Sequence, residues 1–349
     1  MNSSGLSDDK LAALSSIYIS LLSLSLIGSC SILVLSIVKR RHLNEQAKPL
    51  FQLALADFLA SLVLIGATII NFLSYTTIPI SEVLCTDLLP LSLTFYCISF
   101  LLVIIYACES AHTAQGWREQ GEEEHRRQSQ RSWRAFDFLY VIVWLIPLIG
   151  YVVYTRTMSL SLVSYIPASK DSNDGENVWT DTRFCNSCIL FLQLHIDNDF
   201  CPTVDSHHNN FIRGFTFASV LSVLTCCTLV YWRLQSWYRH YEQAGMFRAS
   251  QGFTGRIWSS ARYMILVIIF CWTPALVLIC LSFACSESDR LFPLFVIQAI
   301  SVSLQGFLNS IVYAWRRRNF REAVLGERLP LLPYVNKAFF EQSLSETRH

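Results

Sequence analysis

Seven long apolar runs are the feature that most limits what this chain can fold into. A helix needs about 20 apolar residues to cross the hydrocarbon core of a bilayer, whereas a spanning strand needs only about ten alternating ones. The runs are continuous, so they predict an all-α membrane protein built as a bundle of seven transmembrane helices. The expected spans are 13–38, 49–75, 84–112, 136–158, 211–236, 261–284 and 291–315, with an N-terminal segment 1–12 before them and a tail 316–349 after them.

The charge content supports the same class of protein. Only 15% of the residues are charged, whereas soluble domains carry about 25%. The net charge is +1, which gives no reason to expect a nucleic-acid partner. The lipid bilayer is therefore the expected surroundings of most of the chain.

The basic residues predict how the bundle is oriented. Of the 27 Lys and Arg residues, all but six lie in the segments 39–48, 113–135, 233–262 and 316–349. Because cytoplasmic loops are enriched in Lys and Arg, we expect the N-terminus outside and the C-terminus inside. Asn2 then begins an extracellular "NSS" glycosylation sequence.

The twelve cysteines divide according to this orientation. Seven lie within the predicted spans, where we expect small buried thiols. The other five face the outside, Cys85 at the outer end of the third span and four between spans, where an oxidising environment allows disulfides. No Cys and His spacing matches a known zinc motif, so we expect no structural metal.

Polar residues deep in the spans are the candidate functional groups, because such residues usually face the bundle interior and mark function. Asp57 is the one acid well inside a span, and Ser99 lies near the middle of the third. Gln305, Asn309 and Tyr313 are spaced four apart and therefore share one helix face.

The sixth run has its own marker in "CWTP", residues 271–274. Pro274 has no backbone N–H and is expected to kink that helix. Trp272 lies two residues earlier, where a change in the kink would move its ring.

Four motifs in order resemble those of the rhodopsin-type G-protein-coupled receptors. They are "LALADFLA" at 53–60, "CWTP" at 271–274, "NSIVY" at 309–313 and "RRRNFREAV" at 316–324. The last resembles the family's short amphipathic eighth helix. The stretch that ends in "NSIVY" is also similar to secretin, adhesion and cAMP-receptor-like sequences, so the resemblance is to a divergent member of the superfamily.

The resemblance implies roles for particular residues. It makes Asp57, Trp272, Pro274, Asn309 and Tyr313 conformational switch residues. It also implies a sodium site formed by Asp57, Ser99 and Asn309, although Gln305 and Gly306 stand where sodium-binding members usually have Asn and Ser. It implies a disulfide from Cys85 to the second extracellular loop, and the candidate partners are Cys185, Cys188 and Cys201.

The sequence also departs from the family pattern. Near its inner end the third span reads "ESA", residues 109–111. The resemblance implies that Glu109 and Ser110 would face the G protein there, without the arginine that the receptors have. Ser310 stands where helix seven usually has proline. The seventh run has no lysine, which disfavours bound retinal, and no cofactor other than sodium is expected.

The function most consistent with these features is an orphan membrane receptor. An extracellular ligand would drive movement of helix six and so signal to a heterotrimeric G protein or arrestin. Alternatives are a non-signalling membrane scaffold and a transporter or channel. An enzyme is not expected, because no second deep acid accompanies Asp57. We expect the plasma membrane, with an endosomal pool suggested by "ERLPLL" at 327–332.

Overall fold

The computed structural model describes the residues 8–38, 47–74, 81–119, 138–157, 203–243, 254–284 and 288–316. Within these residues every regular element is a helix. The helices are α1 (Asp8–Val38), α2 (Ala47–Ser74), α3 (Ser81–Glu119), α4 (Phe138–Thr157), α5 (Thr203–Gln243), α6 (Thr254–Ala284), α7 (Ser288–Ser303) and α8 (Gln305–Arg316).

The first six helices are each long and apolar enough to cross a membrane. The helices α7 and α8 together form a seventh candidate span, which bends by 40° at Leu304. The chain is therefore a multi-pass membrane protein. The sequence predicted one continuous helix over 291–315, and the break within it was not expected.

The bend has a local physical basis in small and polar residues. Sharp helix bends occur at proline, at Gly and Ser residues, and where side chains compete for backbone hydrogen bonds. The hydroxyl of Ser301 donates to the Gln298 carbonyl at 3.1 Å, and that of Ser310 donates to the Gly306 carbonyl at 2.7 Å. The bend therefore forms without a proline at the break, and it separates Gln305 and Asn309 from the outer half of the span.

The helix α2 packs between α1 and α3, and α6 packs against α3, α5, α7 and α8. The helix α8 also contacts α1 and α2, so it enters the centre of the bundle. The largest fully buried side chains are Trp272, Tyr18 and Tyr96. In contrast, α4 directs most of its side chains outward, and only Tyr140 and Val143 are buried among its described residues.

The cysteines correct one expectation. All seven thiols within the predicted spans are free, but only Cys227 and Cys271 are buried. The thiols of Cys30, Cys108, Cys226 and Cys280 are exposed on the outer surface of the bundle. A thiol behaves as a small apolar group, and so it can face hydrocarbon without a hydrogen-bond partner.

Candidate functional site: a polar network inside the helix bundle

The candidate site is centred on the Asp57 carboxylate, which is only 1% exposed. Asp57 lies on α2 between Ala56 and Ala60, whose side chains are fully buried. Small neighbours let the adjacent helices approach closely, as is common where membrane helices pack. The acid therefore points into the bundle and not into lipid.

Three side chains donate hydrogen bonds to this carboxylate. The Ser99 hydroxyl and Gln305 Nε2 donate to Oδ1 at 2.7 Å and 3.1 Å. Asn309 Nδ2 donates to Oδ2 at 2.8 Å. Gln305 Nε2 also lies 3.1 Å from Ser99 Oγ. The two neighbours expected from the sequence, Ser99 and Asn309, are thus both in contact with Asp57.

All three donors to Asp57 are neutral groups. An isolated buried carboxylate is costly, and hydrogen bonds to its oxygens offset that cost. Because the donors come from α3 and α8, the carboxylate stabilises α2 against both helices. A change in the relative position of these helices must therefore break or exchange hydrogen bonds at Asp57.

Trp272 extends the network to α6. Its indole Nε1 donates to Gln305 Oε1 at 2.6 Å. The indole also makes edge contacts with the rings of Tyr96 and Phe100, at centroid distances of 5.3 Å and 4.9 Å. Gln305 therefore joins Trp272 to Asp57, and this link was not predicted from the sequence.

The close approach of α8 to α1 depends on Gly306. A side-chain carbon at this position would meet the hydroxyl of Ser25, and would lie 3.0 Å from Ser29 Oγ and 3.3 Å from Asp57 Cβ. Both serine hydroxyls are buried without a hydrogen-bond partner. This contact was not predicted from the sequence, although the spacing of Ser25 and Ser29 by four residues places them on one face of α1.

A separate buried hydrogen bond joins α1 to α7. The Tyr18 hydroxyl donates to Gln298 Oε1 at 3.0 Å, and both side chains are buried. This pair was not predicted from the sequence either. Its only signal is two hydrogen-bonding side chains inside apolar runs, and that signal does not identify which residues meet.

The remaining predicted site residues are placed as follows. Glu109 on α3 accepts a hydrogen bond from the Tyr140 hydroxyl of α4 at 2.5 Å. Pro274 lies within α6, which is assigned as a single helix. The structure does not describe the side chains of Cys85, Ser110 and Tyr313. The predictions for Asn2, Cys185, Cys188, Cys201 and an amphipathic helix after residue 316 also lie outside the described residues.

The ligand chemistry available at Asp57 is that of oxygen atoms. Among the described residues, no three His, Cys, Asp or Glu side chains come together. The buried Asn309 Oδ1 has no hydrogen-bond partner, and the two oxygens of a carboxylate offer about four lone-pair sites. Together with Ser99 Oγ, these oxygens suit a hard cation better than a soft metal.

Comparison with known families gives a match over most of the chain. Residues 12–328 match the model of the family described as transmembrane protein 116. The chain belongs to this family. The match to transmembrane protein 116 includes every residue of the polar network, from Asp57 on α2 to Asn309 on α8. The receptor resemblance is separate from this match and continues to rest on the motifs quoted above.

Proposed function

We propose that this member of the transmembrane protein 116 family is a receptor of the G-protein-coupled receptor type, with its N-terminus outside and its C-terminus in the cytoplasm. A ligand bound from outside would shift α6, and cytoplasmic partners would respond to that shift. The plasma membrane is the proposed compartment, and the orientation follows from the distribution of Lys and Arg.

The link between Trp272 and Gln305 is the observation that carries this proposal. Trp272 lies on α6 two residues before Pro274, where the helix lacks one backbone hydrogen bond. Gln305 lies directly after the bend of the seventh span and holds both the indole and the Asp57 carboxylate. Movement of α6 must therefore break a buried hydrogen bond and release α8 from one of its partners.

Such a link can control the balance between two conformations. A ligand shifts that balance only by the difference in its affinity for the two states. A net hydrogen bond contributes about 1 kcal/mol, which corresponds to a population change of about fivefold. The network is thus strong enough to hold an inactive state and weak enough for ligand binding to overcome it.

Loss of the indole N–H is expected to raise basal signalling. In cells expressing Trp272→Phe at the surface density of wild type, we expect second-messenger output or arrestin recruitment to rise by about fivefold, because the bond to Gln305 is gone while the ring contacts remain. Trp232→Phe is the matched control, since Trp232 is 69% exposed on α5.

Two further variants separate the proposed receptor from its alternatives. Asp57→Asn should alter second-messenger output, because it removes the charge of the network. Ser110→Arg should increase G-protein coupling, because it supplies the arginine that rhodopsin-type receptors have at this position. If wild type and all variants stay at the background of untransfected cells in every assay, the receptor is refuted. Substrate flux or current in proteoliposomes would then favour a transporter or channel, and its absence a scaffold.

We also propose that the network binds a sodium ion through Asp57, Ser99 and Asn309. The unpartnered Asn309 Oδ1 supports this role, because an amide oxygen is a suitable ligand for a hard cation. We expect the purified protein to melt at a higher temperature in sodium chloride than in a bulky organic chloride, and Asp57→Asn to lose the difference. Equal melting temperatures of wild type in the two salts would exclude the site.

A further inference from the structure

The C-terminal end of α5 and the N-terminal end of α6 are rich in arginine. The segment 233–262 contains five arginines, no lysine and a single acid, Glu242. The side chains of Arg233, Arg239 and Arg262 are described, and the first two are exposed. This part of the surface, which we call the α5–α6 arginine face, therefore carries a positive charge that the receptor proposal does not use.

Arg262 is the partly buried member of the α5–α6 arginine face. Its Nη1 donates to Gln235 Oε1 on α5 at 3.0 Å, and its Cζ lies 5.6 Å from the ring centroid of Tyr263. Its Nε is buried and has no hydrogen-bond partner. Since the amide oxygen is neutral, the guanidinium keeps a full positive charge with an unused N–H donor.

The position of these arginines matches the depth of lipid headgroups. Arg233 is the first charged residue after the apolar run of α5, and Arg262 is the last one before the apolar run of α6. Both residues therefore lie where the hydrocarbon core meets the headgroup region. Arg239 lies one turn beyond Gln235 on the same helix face, and Trp232 is 69% exposed beside Arg233, as expected for an aromatic residue at the membrane interface.

We propose that the α5–α6 arginine face binds the phosphate groups of an anionic membrane lipid, with Arg262 as its anchor. Arginine presents a planar fork of N–H groups that matches phosphate oxygens, and lysine does not. The Gln235 contact fixes the guanidinium through one N–H group of Nη1. The remaining N–H groups of the fork, those of Nη2 among them, are left to donate to phosphate oxygens. Arg233 and Arg239 add long-range attraction. In the proposed orientation this face meets the cytoplasmic leaflet, where anionic lipids are enriched.

The lipid preference of the full-length protein tests this proposal. The purified chain in phosphatidylcholine nanodiscs is titrated with phosphatidylinositol bisphosphate, and bound lipid is counted by native mass spectrometry. We expect Arg262→Gln to weaken binding about tenfold, and Arg262→Lys to weaken it less because the charge remains. Arg156→Gln is the matched control, since Arg156 is exposed at the other end of the bundle on α4, and it should bind as wild type does.

Equal affinity of wild type and Arg262→Gln would overturn the proposal, as would an equal loss in Arg156→Gln. If Arg262→Gln does not fold, the double variant Arg233→Gln/Arg239→Gln leaves the Gln235 contact intact and should still bind about tenfold more weakly. Unchanged affinity in that variant would also overturn the proposal.

Two competitors distinguish the lipid from other anions. Soluble inositol trisphosphate should bind much more weakly than the lipid, and equal affinity would assign the surface to a free phosphate. An acidic peptide that displaces the lipid at equal concentration would assign it to a protein partner. Either result would refute lipid binding at this face. The outcome does not depend on signalling, so the receptor proposal and this one can fail separately.

Discussion

Replacing Asp57 with alanine is expected to lower the free energy of unfolding by about 2–5 kcal/mol. The carboxylate accepts hydrogen bonds from Ser99, Gln305 and Asn309. Interhelical hydrogen bonds in membranes are each worth about 0.6–2 kcal/mol. Loss of Asp57 would leave Asn309 Nδ2 buried without a partner, and α8 would lose its polar contact with α2.

Asparagine at the same position should be far milder, within about 1 kcal/mol of wild type. Its oxygen can accept from Ser99 and Gln305, but its amide nitrogen would face the Asn309 nitrogen. That conflict is relieved when Asn309 turns its amide, because Asn309 Oδ1 has no other partner. The two variants therefore separate the shape of the Asp57 side chain from its charge.

Thermal melting of the purified protein in detergent would measure both changes. Thr68→Ala is a suitable control, because Thr68 is buried on the same helix and its hydroxyl donates to the backbone carbonyl of Leu64 within that helix. If Asp57→Ala melted at the same temperature as Thr68→Ala, the network would not stabilise the bundle. Equal losses in Asp57→Asn and Asp57→Ala would show that charge, and not shape, is what matters.

Adding one methyl group at Gly306 is expected to destabilise the protein by about 1–3 kcal/mol. The new carbon would meet Ser25, Ser29 and Asp57 Cβ, so α8 would have to move away from α1 and α2. That movement would also stretch the hydrogen bonds that Gln305 and Asn309 donate to Asp57. Valine at the same position should be more damaging than alanine.

Gly66 offers the matched control for this prediction. It lies on α2, and a side-chain carbon there would meet no atom within 4 Å. Alanine is a better helix former than glycine by up to about 1 kcal/mol, so Gly66→Ala should melt at or above the wild-type temperature. Both variants are measured by the same melting assay.

A second substitution tests the proposed cause. Ser25→Ala removes the hydroxyl that the Gly306 methyl group meets, and it should recover part of the stability of Gly306→Ala. Ser25→Ala alone should cost little, because that hydroxyl has no hydrogen-bond partner. Equal stability of Gly306→Ala and Gly66→Ala would contradict the close approach of α8 to α1. If Ser25→Ala did not restore stability to Gly306→Ala, the strain would be assigned to Ser29 or Asp57.

The spans could be predicted from the sequence because the signal for them is local. A run of about 20 apolar residues is enough to cross the hydrocarbon core, and each of the seven runs coincides with a candidate span or a bent pair of helices. The ends were less predictable. The helices α3 and α5 continue to Glu119 and Gln243, past the apolar runs, because backbone hydrogen bonding does not stop where the hydrocarbon ends.

Part of the polar network was also predictable. A buried acid needs hydrogen-bond partners, and the resemblance to receptors named Ser99 and Asn309 as its neighbours. The orientation of the bundle, the disulfide of Cys85 and the sodium site stay predictions. The same holds for the switch roles of Asp57, Trp272, Pro274, Asn309 and Tyr313. The twelve cysteines alone could not show which thiols face lipid, since that depends on how each helix is rotated in the bundle.

The sequence by itself determined the helical membrane class, the number of apolar runs and the depth of Asp57, because each of these follows from the hydrophobicity of a continuous stretch. Only the tertiary structure decided that Gln305 joins Trp272 to Asp57, that the seventh span bends at Leu304, and that Gly306 touches α1. Trp272 and Gln305 are separated by 33 residues, and Asp57 and Asn309 by 252. Contacts between residues so far apart in the sequence depend on how the helices rotate and pack against one another. The residues of one helix alone do not determine that packing.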